Sequence, residues 1–150
     1  MNQFEDILEK HPFFKDLKQE HLDILADCCG QKKFNPGEIV GHEGEPADYF
    51  YLVQEGKVAI QIHAPNKGVI TLQTVGPGDI IGWSWLFPPY KWSFDIKAIT
   101  ATKTLAMNGK CLRQKCEDNP DFGYPIMKKF SQVLIQRLKA TRMQILDLYE

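Results

Sequence analysis

Tyr49-Phe50-Tyr51-Leu52-Val53-Gln54-Glu55-Gly56-Lys57-Val58-Ala59-Ile60-Gln61-Ile62-His63 decides how the whole chain is read. Tyr49 to Val53 is a nearly continuous apolar run, the mark of a buried strand. Glu55-Gly56 turns the chain. Val58, Ile60 and Ile62 then alternate with Lys57, Gln61 and His63, a period of two. Working outward, Pro65-Asn66-Lys67-Gly68 predicts a hairpin loop, with Ile70 and Leu72 alternating against Thr71 and Gln73 beyond it. Upstream, Pro36-Gly37 is a turn, Glu38-Ile39-Val40 a short strand, and His42 to Asp48 a turn cluster. Downstream, Gly76-Pro77-Gly78 turns again, and Asp95 to Ala101 and Thr104 to Met107 read as strands. Short strands punctuated at this spacing predict an antiparallel sandwich or barrel, a jelly roll among the candidates.

Helices flank this β-region. Residues 3 to 29 carry two apolar stripes, Phe4, Ile7 and Leu8, then Leu22, Ile24 and Leu25, interrupted at Pro12. Residues 109 to 118 predict a polar helix. Asn119-Pro120 gives the start of another, an N-cap followed by proline at the first position. From Pro125 to Leu148 nothing breaks that helix. Met127, Leu134, Leu138, Thr141, Ile145 and Leu148 fall on alternating three- and four-residue steps, a heptad seam with Ser131 filling the gap. Phe130 and Val133 lie beside it, toward the β-domain. The seam predicts a parallel homodimer, the alternative being that it packs back on its own domain.

A chain of 150 residues is one domain, 1–150: N-terminal helices over 3–29, a β-barrel over 30–108, C-terminal helices over 109–150. The apolar fraction of 43% and charged fraction of 25% are those of a globular protein, and a net charge of -1 offers no general attraction to nucleic acid. No run is long enough for a membrane span, and no signal peptide opens the chain. Cys28, Cys29, Cys111 and Cys116 match no zinc or redox spacing, and are expected as reduced thiols in a cytoplasmic protein.

Gly78 to Ala98 is different in kind. It holds all three tryptophans (Trp83, Trp85, Trp92) with Phe87, Tyr90 and Phe94, and Pro88-Pro89 breaks its middle. So much aromatic surface is not left in a solvated loop, and adjacent prolines deny it a regular ladder. It reads as a packed insertion, a helical turn and a loop, lining the concave side of the β-structure or plugging its core.

In order, Phe34-Asn35-Pro36-Gly37-Glu38, Glu43-Gly44-Glu45-Pro46-Ala47, Tyr51 to Val58 and Pro77-Gly78-Asp79-Ile80-Ile81-Gly82 resemble the turns and strands of the cyclic nucleotide-binding domain family. Arg137-Leu138-Lys139-Ala140-Thr141-Arg142 is similar to the dimer helix of its bacterial regulators. The resemblance runs from about His11 to Leu148. It implies an eight-stranded double-stranded β-helix, or jelly-roll barrel, with helical flanks and a long C-terminal helix. It also implies a phosphate-binding cassette over 78–98, and here the chain departs from the pattern. The family's Phe-Gly-Glu-x-Ala-Leu, whose glutamate holds the ribose hydroxyl, corresponds to Ile81-Gly82-Trp83-Ser84-Trp85-Leu86. Counting back from Ala98, the arginine that pairs the cyclic phosphate corresponds to Trp92, followed by Ser93.

A cyclic phosphate buried without a cation would cost several kcal/mol, and arginine's fork has no equal substitute. Lys91, Ser84, Ser93 and backbone N–H groups over Gly82 to Leu86 are partial replacements. Trp83 and Trp92 therefore plug the old pocket, wall a remodelled one for a flatter or more apolar ligand, or form a patch for a protein partner. The resulting expectation is a non-catalytic sensory module. It acts as a homodimer, does not hold cAMP or cGMP in the usual way, and signals to a partner protein. The alternative is a structural interaction module without a ligand. No cofactor or metal is expected. A cupin-like metalloenzyme would need clustered histidines, and the β-region has only His42 and His63. The chain ends at Glu150, before a DNA-binding helix-turn-helix could begin. The basic side of the last helix (Lys128, Lys129, Arg137, Lys139, Arg142) reads as a solvated face.

Overall fold

The computed structural model describes residues 3–15 and 17–148. In chain order the elements are α1 (Gln3–Lys10), a 3-10 turn (Pro12–Phe14), α2 (Gln19–Asp27), β1 (Cys29–Phe34), β2 (Ile39–Gly41), β3 (Tyr49–Glu55), β4 (Val58–Ala64), β5 (Gly68–Val75) and β6 (Ile80–Ile81). A second 3-10 turn (Ser84–Leu86), β7 (Asp95–Ala98), β8 (Thr102–Asn108), α3 (Gly109–Asp118) and α4 (Pro120–Leu148) follow. The strands form two four-stranded antiparallel sheets, β1-β8-β3-β6 and β2-β7-β4-β5. β1 pairs with β8, β2 with β7, β3 with β6 and β4 with β5, the nested winding of a jelly roll.

β3 explains its own sequence. Phe50 and Leu52 point to a core shared with α1, α2, α3 and the start of α4, beside Leu8, Leu25, Leu112, Phe122 and Phe130. Tyr51 and Val53 point into the barrel, among Phe34, Val58, Ile60, Ile81 and Ile96. Because both faces are buried, the strand reads as a run and not as an alternation. Gly56 closes the β3–β4 turn at φ +98°, where a Cβ would stand 2.5 Å from the Ala101 carbonyl oxygen. Both the dihedral and the space require glycine there.

Four local expectations are corrected. Cys28 and Cys111 are joined in a disulfide across 83 residues, so two of the four thiols expected to be reduced are not. The fold brings the end of α2 to the first turn of α3, a proximity that spacing along the chain does not encode. Cys29 and Cys116 are free and half-buried. Beyond Gln61 the β4–β5 hairpin has no further partner in β7, and the register shifts between Ile60 and Gln61. Val69 and Ile70 are consequently both exposed, where a simple alternation had buried Ile70. α4 does begin at Pro120 after Asn119, but Asn119 caps it with its backbone carbonyl, which accepts from Phe122 and Gly123, and not with its side chain, whose amide donates back to Lys115 of α3. Finally, Arg137 is not on a solvated face. It is half-buried against β5 and β6, whereas Lys128, Lys139 and Arg142 are exposed.

Pro125 lies inside α4, which is assigned as one helix. Gly123 lets α4 close on α3: a Cβ there would be 2.9 Å from the Cys116 carbonyl oxygen. Toward its end α4 leans on the barrel through Arg137, which donates to Gln73 Oε1 (3.1 Å) and the Ile80 carbonyl, and through Gln144, which donates to the Leu72 carbonyl.

Candidate functional site: the cassette and the cleft it fills

The stretch from Gly78 to Ala98 delivers its three tryptophans to three different environments. Trp85, in the second 3-10 turn, is fully buried on the helical side. It stacks on Phe50 (centroids 4.8 Å, 18° between planes) and meets Phe130 edge-on. Gly109 gives it room, since a Cβ there would be 2.6 Å from the Trp85 Cβ. Leu86 packs against the same core. Arg113 of α3 donates to the Trp85 carbonyl and lies over the Tyr90 ring at 3.9 Å, tying the loop to α3.

Trp92 goes the other way, into the barrel, with 7% of its surface exposed. Its backbone is fixed on the second turn: its N–H donates to the Glu45 carbonyl and its carbonyl accepts from Gly44, each at 2.9 Å. Its indole lies across two glycines. A Cβ on Gly41 would be 2.5 Å from Cε2, and one on Gly82 would be 2.9 Å from Cη2. Side chains at either position would expel the ring. Trp83 is half-buried between these two destinations. It meets Phe94 edge-on at 5.9 Å, and the Arg137 guanidinium stands 5.9 Å from its centroid.

Gly82, Trp83, Ser84 and Trp92 thus come together, with Ile60, Phe94 and Ile96, around a space of only about 10 Å³. That is about the room for a single water molecule. Trp85 and Leu86 do not line it. Lys91 and Ser93 are exposed, and the Lys91 backbone bridges Pro46. The 3-10 turn after Trp83 is three residues long.

Next to the filled cleft is an open groove of about 210 Å³ between barrel and α4. Ile60, Leu72, Gln73, Trp83 and Phe94 form one wall, and Leu134, Arg137, Leu138 and Thr141 the other. Three of the seam residues therefore also face this groove. Leu138 remains 69% exposed and Ile145 49%. Met127 packs partly against the helical core, and the side chain of Leu148 lies outside the described residues. Sequence reasoning missed Gly41, Gln73 and the buried role of Arg137. The available signal was one arginine set among seam residues, beside Leu134 and Leu138 and one turn before Thr141.

The histidines are elsewhere. His42 is exposed and pairs with Asp95 (2.8 Å), and His63 is exposed on the hairpin. Among the described residues no three His, Cys, Asp or Glu side chains group as a metal site, and no helix is long and apolar enough to cross a membrane.

The chain is 28% identical over 144 residues to a CRP-like cAMP-activated global transcriptional regulator of Mycobacterium tuberculosis. That match takes in 96% of this chain and 62% of the relative, so the chain spans less than two thirds of that regulator. A cyclic nucleotide-binding domain from Methylobacillus flagellatus superposes with a TM-score of 0.81 at 26% identity, covering 96% of this chain and 81% of that one. A Geobacter metallireducens structure classed with the cyclic nucleotide-binding proteins gives 0.80 at 28% identity, covering 92% and 99%. A profile of the cyclic nucleotide-binding domain matches residues 31–119. With the nested eight-stranded winding and the ordered turns, this places the chain in the cyclic nucleotide-binding domain family.

Proposed function

We propose that this chain is a non-catalytic regulatory module that does not take cAMP or cGMP in its family's usual way, because an indole occupies the place. The observation that carries this reading is the position of Trp92 over Gly41 and Gly82, which leaves about 10 Å³ in the cleft. The position that would supply the phosphate's cation is the one that fills the space. The module works as a homodimer through α4, whose exposed Leu138 and Ile145 exceed what one domain needs to cover. Its signal passes to a partner protein by a shift in how α4 is seated on the barrel. A purely structural module without a ligand is the second reading, favoured by the filled cleft; the open groove beside Trp83 favours the sensory one. A cytoplasmic site of action requires the Cys28–Cys111 bond to persist in a reducing compartment.

Calorimetric titration with cAMP and with cGMP tests the ligand side: no saturable heat at millimolar nucleotide is expected, and micromolar binding of either would refute it. Sedimentation tests the assembly. The wild type is expected as a dimer and Leu138→Glu as a monomer with an unchanged circular dichroism spectrum. A monomeric wild type would refute the dimer.

A further inference from the structure

We propose that the groove between α4 and the barrel is a binding site for a small amphipathic carboxylate, its acid group on Arg137 and its apolar body between Trp83, Phe94, Leu134 and Leu138. This rests on the regulatory reading above and names the chemistry of the ligand.

Arg137 is a half-buried cation whose hydrogen bonds all go to neutral groups, with the Asp79 carboxylate acting on it from beyond ion-pair distance. Arg137 donates to two neutral acceptors, Gln73 Oε1 and the Ile80 carbonyl. Among the described residues no ion pair involves it. Guanidinium has five N–H donors, and the others find no protein acceptor among the described residues. Burial lowers its pKa, and the charge of Asp79 raises it in part. A guanidinium held this way favours a planar two-oxygen acceptor, a carboxylate, over any neutral ligand.

The second observation is the room around it. Arg137 and Gln73 line the apolar groove of about 210 Å³ on one side and a more polar recess of about 280 Å³ on the other. The recess adds Lys129, Gln132 and Gln136 from α4, with Lys129 already bonded to the Lys15 carbonyl. Asp79 also lines the recess and would repel a multiply charged anion there. A monoanion with an aromatic or branched apolar body suits this division. Its body meets the rings of Trp83 and Phe94, while Arg137 and the Gln73 amide take its oxygens. A phosphate ester suits it less, being more highly charged and needing less apolar wall.

Wild-type protein titrated with phenylacetate, and in parallel with the neutral phenylacetamide, tests the proposal without any substitution. Both probes have the same ring and nearly the same shape. Binding is followed by the indole N–H resonances and by calorimetry at constant ionic strength. The acid is expected to bind at least ~10-fold more tightly than the amide, moving the Trp83 resonance and leaving that of Trp92 in place. Arg137→Lys, which keeps the charge and loses the fork, is expected to weaken the acid several-fold, and Arg137→Gln to abolish the preference. Equal affinity for acid and amide, or no binding of the acid, overturns the carboxylate site while leaving the exclusion of cyclic nucleotides intact. If cAMP binds and shifts Trp92, it is the proposed exclusion of cyclic nucleotides that fails.

Discussion

A methyl group on Gly41 would test whether the Trp92 indole occupies the cleft. Gly41 is paired with Ile96 and has no left-handed backbone, so space alone sets the cost of a side chain there. The added Cβ would meet Cε2, Cδ2 and Cζ2 of Trp92 at 2.5, 2.6 and 2.9 Å. Ordinary carbon contacts lie at about 3.5–4.0 Å, so the ring must retreat by about 1 Å. It has little room to move: Gly82 crowds the outer atoms of the ring, Cη2 and Cζ3, and its backbone is bonded to Gly44 and Glu45. Overpacking of this kind costs ~1–3 kcal/mol. Gly41→Ala should therefore lose about 2 kcal/mol, a fall of roughly 4–8 °C in Tm for a domain of this size.

Trp92→Ala alone should lose ~3–5 kcal/mol as a buried aromatic truncation. In that background the Gly41→Ala methyl enters vacated volume. Its cost should vanish, or become a gain of ~0.4–1 kcal/mol from the stiffer unfolded chain. The coupling in a double-mutant cycle is then about 2–3 kcal/mol, measured by urea unfolding followed in the far ultraviolet by circular dichroism. Trp92→Leu serves as a milder background. If Gly41→Ala costs the same in both backgrounds, the indole is not over Gly41 and the filled-cleft account fails.

The disulfide and a buried histidine give two further predictions. Replacing Cys28 and Cys111 by serine reopens an 83-residue loop, and should lower stability by ~2–4 kcal/mol. An unchanged urea midpoint, or free thiols at both positions by mass spectrometry, would contradict the staple. The neighbouring Cys29 thiol, pushed up to about 12 by burial, should stay unreactive and not exchange with that bond at neutral pH. Burial lowers the pKa of His11, against smaller upward pulls from the Val53 backbone and Asp79. The unfolded chain then binds the proton more readily, so His11 supports stability above about pH 6.5. That support is lost as the pH falls from there through the lowered folded pKa. His11→Gln should flatten this part of the stability profile, and an identical profile in the variant would refute the assignment.

The barrel was legible because its punctuation is chemical. The Glu55-Gly56 turn and the Pro65 to Gly68 loop each have a local cause, and the run from Phe50 to Val53 reports burial on both faces. The departure at Trp83 and Trp92 was also legible, from the family resemblance. What the tryptophans do was not, because their destinations depend on distant glycines. Gly41 and Gly82 receive Trp92, and Gly109 makes room for Trp85 on the opposite side of the sheet. A list of aromatic residues along one stretch therefore overstated the cleft by placing Trp85, Leu86, Lys91 and Ser93 in it. The disulfide escaped for the same reason, its halves being 83 residues apart. Arg137 looked like one more surface cation because helical periodicity says which face a residue is on, and not what lies opposite.

The indole N–H resonance of Trp92, followed while cAMP is added to millimolar excess, tests the central claim most directly. With the ring filling the cleft, the resonance should keep its position throughout. A saturable shift at micromolar nucleotide would mean that the ring swings out for the messenger and that the cleft is a working site.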